Sequence, residues 1–406
     1  MVTCIFRKVP QFLFLLCVMM AAGLSGLSSA ADKETLKAAL DELRVAGGMP
    51  WGVTIPGIAV AVAYGSPGSV EVLTAVSGVA DPPGVTPLST KSRFHVGSIT
   101  KTFTAALILQ LDQSGDLSLA DPISRWLEYP GGESITVEML LGHTSGLPDF
   151  SELPGHSRDH TPQQSLALAA TSPALFPPGA KWSYCNTNYI MLGVIAEKVT
   201  GKSWAEEIQV RFIKRLGLND TSIWDGHALT NTVHGSRLDC GMEGEPDCVM
   251  KPGFTIVPVT NGRDWKVSWS AGAIVSTPSD IALWMHALLT GDVLDAEHRR
   301  LMATPVPQSR KALSSMPAFG RLTWTAAGLG LMQYEIDGRG TGWGHEGNIN
   351  GFVANTVFIP KTSQSVAVAS NFLQTDIFSV LGDVVESAAS DDERYPDATR
   401  KGRGSR

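Results

Sequence analysis

Apolar positions along the chain change period twice. Residues 57–64 (GIAVAVAY) and 70–76 (VEVLTAV) are short apolar or alternating runs divided by Gly65-Ser66-Pro67-Gly68. Runs of that length bounded by turn formers predict a β-hairpin. A third short run, 92–96, leads into Gly97-Ser98. The pattern then becomes helical: Ala105, Leu107, Ile108 and Leu111 share one face, and a second such segment follows Asn188. Connections rich in Pro and Gly occupy 128–180, and a looser stretch covers 225–265. Thr277-Pro278, a capping residue with proline in the first turn, predicts a helix that Gly291 ends. Strand signals return at 352–359 and 365–369, around Pro360-Lys361. Ile377, Leu381 and Val385 place a closing helix near 376–389. At the other end Leu36, Leu40 and Leu43 predict a helix stopped by Gly47-Gly48. The order β, mostly α, then β implies a sheet built from both ends of the chain, with a helical lobe (about 98–265) inserted between them. A cleft belongs in the seam.

Composition narrows the function classes. The chain has 406 residues, 43% hydrophobic and 17% charged, which excludes wholesale disorder. Its formal charge of −7, with Lys and Arg scattered, gives no basic surface for a phosphate backbone, so nucleic-acid binding is not expected. Residues 1–30 read as a secretory signal: Arg7 and Lys8, an uncharged run over 12–24, then small residues at Ser28 and Ala30. The run is too short to span roughly 30 Å of hydrocarbon, so a secreted or periplasmic protein without a stable membrane span is expected. Removing the signal leaves Cys185, Cys240 and Cys248 of the five cysteines. The last two flank a Gly/Glu/Pro-rich loop and could close a small disulfide or stay as thiols. Residues 390–406 are charged and lack apolar periodicity, as a disordered tail would be. The catalytic unit then covers 31–389.

Several catalytic signatures are absent: no Gly-x-Ser-x-Gly, no phosphate-loop Lys motif, no His-Glu-x-x-His. His156 and His160 have a zinc-like spacing, but Pro154, Gly155 and Pro162 deny them a helix, so no metal is expected. Ser98-Ile99-Thr100-Lys101 is the chain's one Ser-x-x-Lys, although about one would arise by chance. Its setting adds weight: Ser98 follows a short strand and a glycine at the start of an apolar helix, and Lys101 lies beside it one turn on. A serine hydroxyl needs a base, and a lysine can serve only when burial lowers its pKa. Two further elements supply partners. Tyr184-Cys185-Asn186 offers a phenol that can relay a proton. His345-Glu346-Gly347, set among glycines, suits an edge strand approached closely by substrate.

With these three motifs in order, the sequence resembles the penicillin-recognising serine hydrolases. The likeness is to the branch with class C β-lactamases, serine D-Ala-D-Ala carboxypeptidases, D-aminopeptidases and related esterases. The segments Ile135-Thr136-Val137, Leu141-Gly142-His143-Thr144-Ser145-Gly146-Leu147-Pro148 and Ser270-Ala271-Gly272-Ala273-Ile274-Val275-Ser276-Thr277 match as well. The resemblance implies an α+β, β-lactamase/transpeptidase-like fold: a five-stranded antiparallel sheet flanked by helices, with the helical lobe inserted. It implies Ser98 as acylated nucleophile, Lys101 as its proton acceptor and Tyr184 as second base. Asn186 would hold Lys101 and the substrate amide, and His345 would face the cleft, donating to substrate or relaying protons. Gly347 would line the cleft, and the backbone N–H groups of Ser98 and Asn348 would form the oxyanion hole. No cofactor is implied; the partner is a small-molecule or peptide substrate, and the oligomeric state is left open.

The third motif is His-Glu-Gly where class C β-lactamases have Lys-Thr-Gly, which ranks β-lactam hydrolysis below D-Ala-D-Ala carboxypeptidase-like or ester cleavage. A non-catalytic wall-binding protein that keeps the fold is the alternative from another class. Glu346 is expected to face solvent; facing the cleft, it would repel a carboxylate-bearing substrate. Protonation of His345 is expected to lower activity at low pH. His95 and His143 are read as packing or hydrogen-bonded residues, and Trp265, Trp269 and Trp343 as either cleft lining or packing.

Overall fold

The computed structural model describes residues 29–47, 53–66, 68–157, 159–226, 229–239, 255–259, 267–314, 316, 322–337 and 339–389. The expected signal up to residue 28, the Cys240–Cys248 loop, Trp265 and the tail lie outside them. In chain order the first elements are α1 (Ser29–Glu42), β1 (Gly57–Ser66), β2 (Ser69–Gly78), β3 (Phe94–His95) and α2 (Thr100–Ser114). Then follow α3 (Val137–Leu141), α4 (Pro162–Ala169), α5 (Asn186–Thr200), α6 (Trp204–Ile208), β4 (Ser222–Ile223), β5 (Ser236–Leu238) and β6 (Ile256–Pro258). The last group is α7 (Trp269–Gly272), β7 (Ile274–Ser276), α8 (Pro278–Thr290), α9 (Ala296–Met302), α10 (Pro307–Leu313), β8 (Leu322–Ala327), β9 (Met332–Ile336), β10 (Gly340–Ile349), β11 (Phe352–Ile359), β12 (Gln364–Ser370) and α11 (Ile377–Ala389).

Both expected hairpins form, and the two ends of the chain meet where β1 pairs with β12, Ile58 opposite Ser370 through Ala63 opposite Ser365. The sheet has seven antiparallel strands in the order β2-β1-β12-β11-β10-β9-β8, not five. The added pair is β8–β9. Its signal in the sequence is faint because β9 is only five residues long and a register shift between Trp324 and Ala326 interrupts the alternation of β8.

The two faces of the sheet carry different side chains. Ala59, Ala61, Ala63, Ala354, Ala367 and Ala369 point to one face, where α8 lies across β1 and β12. Small side chains let that helix approach the backbone closely and seat Ile281, Trp284 and Leu288 against the sheet. Thr277 accepts from Asp280 N at 3.2 Å and so caps α8, as the sequence predicts. Ile58, Val60, Val62, Val353, Val357, Val366 and Val368 fill the other face, under Leu36 and Leu40 of α1 and Ile377, Val380, Leu381, Val384 and Val385 of α11. Each valine costs α11 roughly 0.5 kcal/mol in helix propensity, while burying one returns roughly 1.5–3 kcal/mol. Packing therefore decides that helix. Among the described residues no helix is long and apolar enough to cross a membrane.

The helix α2 departs from the one-faced expectation: residues 100–109 and Leu111 are all buried, which makes it the central helix of the lobe. Its buried polar residues are all bonded. Thr100 Oγ1 accepts from Ile274 N at 3.0 Å, Thr104 Oγ1 donates to Ser270 O at 2.7 Å, and Trp284 Nε1 donates to Thr102 Oγ1 at 2.8 Å. Satisfied buried groups of this kind fix one register. They lock the helix that follows Ser98 to the 270–274 segment.

Candidate active site

Ser98 sits in a 3-10 turn, Gly97–Ile99, that feeds α2. Its hydroxyl caps no helix, so the simplest structural role for such a serine does not apply. Gly97 holds φ +50°, a left-handed conformation that glycine adopts without strain. One turn on, Lys101 is fully buried, yet its ammonium carries three hydrogen bonds. Nζ reaches Ser98 Oγ at 2.9 Å, Asn186 Oδ1 at 2.8 Å and Ala271 O at 2.9 Å. Burial pulls Lys101 down to about 7, against the opposing fields of Asp149, Cys185 and Glu346. A substantial fraction of neutral amine therefore faces the Ser98 hydroxyl near neutral pH.

The second motif is positioned by the segment before it. Asp149 Oδ2 accepts from both Asn186 N (2.7 Å) and Asn186 Nδ2 (3.0 Å), at the start of α5. A carboxylate there suits the helix N-terminus, and its grip on Nδ2 turns Oδ1 toward Lys101. One Nδ2 hydrogen remains for the cleft. Asp149 is the site residue that the sequence reading missed; the matched segment stops at Pro148, one residue short. The available signal was an Asp after Pro ahead of a polar turn, where its carboxylate accepts from Ser151 N at 3.0 Å.

The ring of Tyr184 stacks on His143, centroids 4.5 Å apart and 27° between planes, and lies 5.0 Å from Lys101 Nζ. His143 Nδ1 accepts from Cys185 N at 3.1 Å, so His143 is the hydrogen-bonded residue expected and also the floor under Tyr184. Burial holds the Tyr184 phenol well above its ordinary pKa, opposed by a hydrogen bond with Ser98. The group is a phenol at rest rather than a base. Cys185 is buried and its thiol is pushed up to about 12, as a packing residue's would be. His95 packs edge-on against Trp224, with ring centroids 5.0 Å apart.

β10 forms the facing wall. Only Gly340–Gly344 pairs with β9; among the described residues, 345–349 pair with β11 alone, so the expected edge exists along half the strand. Gly347 explains how that half docks. A Cβ there would stand 1.8 Å from Val96 O and 3.2 Å from Ser98 N, so only glycine lets the strand lie against the nucleophile turn. The same contact brings Asn348 N beside Gly97, where it and Ser98 N can share an oxyanion.

His345 is 2% exposed, and its Nδ1 lies 2.6 Å from Glu346 O. A carbonyl only accepts, so Nδ1 carries the proton and Nε2 is an acceptor. This corrects the expected donor role at rest. Burial and the Lys101 charge push His345 down to about 3, which also removes it as the source of an acid limb near neutrality. Glu346 is corrected too: it lines the cleft rather than facing solvent. The cleft encloses about 650 Å³ between these walls and includes Trp182, Trp324, Met332, Phe150 and His156. Among the described residues its tryptophans are Trp182 and Trp324; Trp343 is core, and Trp269 packs on Trp204 at 5.8 Å. Among the described residues no group of three or more His, Cys, Asp or Glu side chains is arranged to hold a metal ion, and the rings of His156 and His160 stand 6.2 Å apart.

Known proteins agree with this construction. The family model described as beta-lactamase matches residues 45–389. Penicillin-binding protein 4 of Amycolatopsis lactamdurans is 29% identical over 294 residues, 70% of this chain and 73% of that protein. Penicillin-binding protein 4* of Bacillus subtilis is 35% identical over 147 residues, and the match spans only 32% of its length. Among solved structures, a D-stereospecific amidohydrolase from Streptomyces sp. superposes with a TM-score of 0.67 at 27% identity, covering 89% of this chain and 98% of that one. A sheet closed by both chain ends, a buried lysine on the candidate nucleophile, and a family match over nearly the whole described chain all point one way: the chain belongs to the beta-lactamase family of penicillin-recognising serine hydrolases.

Proposed function

We propose that this protein hydrolyses amide or ester bonds through an acyl-enzyme on Ser98, following export by its N-terminal signal. The observation that carries the reading is Lys101 Nζ, fully buried and 2.9 Å from Ser98 Oγ. A buried lysine costs stability unless it is paired or neutral, and this one is held where a neutral amine is useful. In the first step Ser98 Oγ attacks the substrate carbonyl and its proton passes to Lys101 Nζ. The carbonyl oxygen gains the charge and lies between the amides of Ser98 and Asn348. Collapse of the tetrahedral intermediate breaks the bond to the leaving nitrogen or oxygen. Tyr184, a phenol, hands a proton to that atom and is reprotonated from Lys101. Water then attacks the ester, giving its proton to the same pair, which passes it to Ser98 Oγ as the bond to the acyl carbon breaks and the acid leaves.

Among substrates, the reading favours amides and esters that carry no carboxylate beside the scissile bond. Glu346 in the cleft wall repels one, which moves a D-Ala-D-Ala carboxypeptidase-like activity behind amidase- or esterase-like cleavage. The description of the Streptomyces neighbour as a D-stereospecific amidohydrolase supports D-aminoacyl substrates. The β-lactamase reading ranks lower for the same electrostatic reason, since a penicillin also bears a carboxylate.

The test is labelling with a fluorophosphonate and a fluorescent penicillin, followed by peptide mass spectrometry. Rates are then compared on D-alanyl peptides, D-amino-acid amides, short esters and a chromogenic cephalosporin. Mass added at Ser98 is expected. Folded protein that neither probe modifies would establish the non-catalytic alternative.

A further inference from the structure

The reaction described above makes no use of the Glu346 carboxylate. It projects from the opposite face of β10 to His345 and lines the cleft, as do Trp324, Met332, Leu313 and Met316. Directly across the strand pair stands Asn355, fully buried, whose Oδ1 accepts from Tyr334 Oη at 3.0 Å while its Nδ2 has no acceptor. Glu346 therefore does not turn inward to bond Asn355. Among the described residues its carboxylate accepts no hydrogen bond and joins no salt bridge. Among the described residues the cation whose field reaches it is Lys101, which is committed to Ser98, Asn186 and Ala271. Burial raises the Glu346 carboxyl to about 7, against the opposing field of Lys101.

A mostly buried carboxylate without a cation is costly, and its open side is the cleft. We propose that Glu346 is a specificity residue that pairs with the ammonium group of the substrate, so that the cleft selects amides and esters bearing a free amine and rejects those bearing a carboxylate. The inference rests on the hydrolase reading above and adds the charge of the substrate to it. Trp324, Met332, Leu313 and Met316 would receive the apolar side chain next to that amine.

The experiment compares D-alanine p-nitroanilide with its N-acetyl derivative on the parent and on Glu346→Gln. A charge-assisted contact in a desolvated site predicts that the parent favours the free amine by roughly 10- to 100-fold in kcat/KM. The ratio should fall by about tenfold or more in Glu346→Gln, and N-succinyl substrate should overtake the free amine in Glu346→Lys. An equal ratio in parent and Glu346→Gln overturns the proposal. Calorimetric binding of D-alanine amide against N-acetyl-D-alanine amide asks the same question without turnover, and equal affinity in parent and variant overturns it likewise. Fluorophosphonate labelling of Ser98 separates the two levels. Loss of labelling in the parent removes the hydrolase reading, while the calorimetric difference still decides the amine. Circular dichroism of each variant confirms that it has folded.

Discussion

On the lobe side of the cleft, Lys101 makes three hydrogen bonds and Asn186 is gripped at two nitrogens by one carboxylate. On the β10 side, the Glu346 carboxylate makes none among the described residues, and the strand has lost its neighbour beyond Gly344. The first wall is preorganised: its polar groups already satisfy one another, so little reorganisation remains when charge develops on the substrate. The second is open: among the described residues it has no partner for the Glu346 carboxylate, and in the role proposed for Glu346 the substrate fills that place. On the proposed function, the groups that act on every substrate are closed, while the group that distinguishes between substrates is left open.

Breaking the closed wall should have the largest effect. Lys101→Met is expected to lower kcat/KM on a p-nitrophenyl ester by ~10²–10⁴, with a change in melting temperature too small to account for the loss. A variant within tenfold of the parent would show that the serine is activated from elsewhere. Next comes the contact that joins the walls. Gly347→Ala sets a methyl group against Val96 O and should cost about 1–3 kcal/mol in urea unfolding. It should also slow Ser98 labelling. Unchanged unfolding would mean that β10 can move away from the nucleophile turn freely. Asp149→Asn probes how the closed wall is held. Without a carboxylate to fix its amide, Asn186 should orient Lys101 less well, lowering kcat by ~10–100-fold. The lost negative charge should also lower the Lys101 pKa, because the Asp149 field raises it. The rising limb of the pH–rate profile then moves to lower pH, a shift that a purely structural defect would not produce.

The smallest effect is one of position alone. On the proposed mechanism neutral Lys101 is the active form and burial sets its pKa near 7, so parent activity should climb as pH rises through about 7. His345→Gln should leave that limb where it is, since His345, pushed down to about 3, is already neutral across the range. A limb that moves with His345→Gln would return the acid limb to the histidine.

The motif residues were legible because each is fixed by local chemistry. Ser98 and Lys101 meet through helical spacing, and Tyr184 and Asn186 flank the start of a helix. The hairpins around 67 and 361 were legible for the same reason. What escaped was set by partners distant in sequence. Asp149 meets Asn186 across 37 positions, and nothing at either place announces the other. Glu346 was misplaced because alternation tells which residues share a face, not which face meets the cleft; that depends on β9 ending opposite Gly344. The role of His345 turned on burial and a neighbouring ammonium, neither of which a tripeptide displays. The apolar pattern of α2 concealed its all-round burial, since four polar side chains at 100–102 and 104 are paid for by bonds to other segments.

The abutment of Gly347 on Val96 is a joint between two main chains, with no side chain in it. Its geometry is therefore inherited from the backbone and is indifferent to most substitutions around it. The atoms nearest that joint are Val96 O, Val96 C and Ser98 N, so the Glu346 side chain, one residue away, is not among them. On the role proposed for Glu346, the chemistry of the bond broken and the identity of the molecule accepted are thereby separable traits. A lineage built on this joint can explore new substrates by point mutation while its reaction stays fixed.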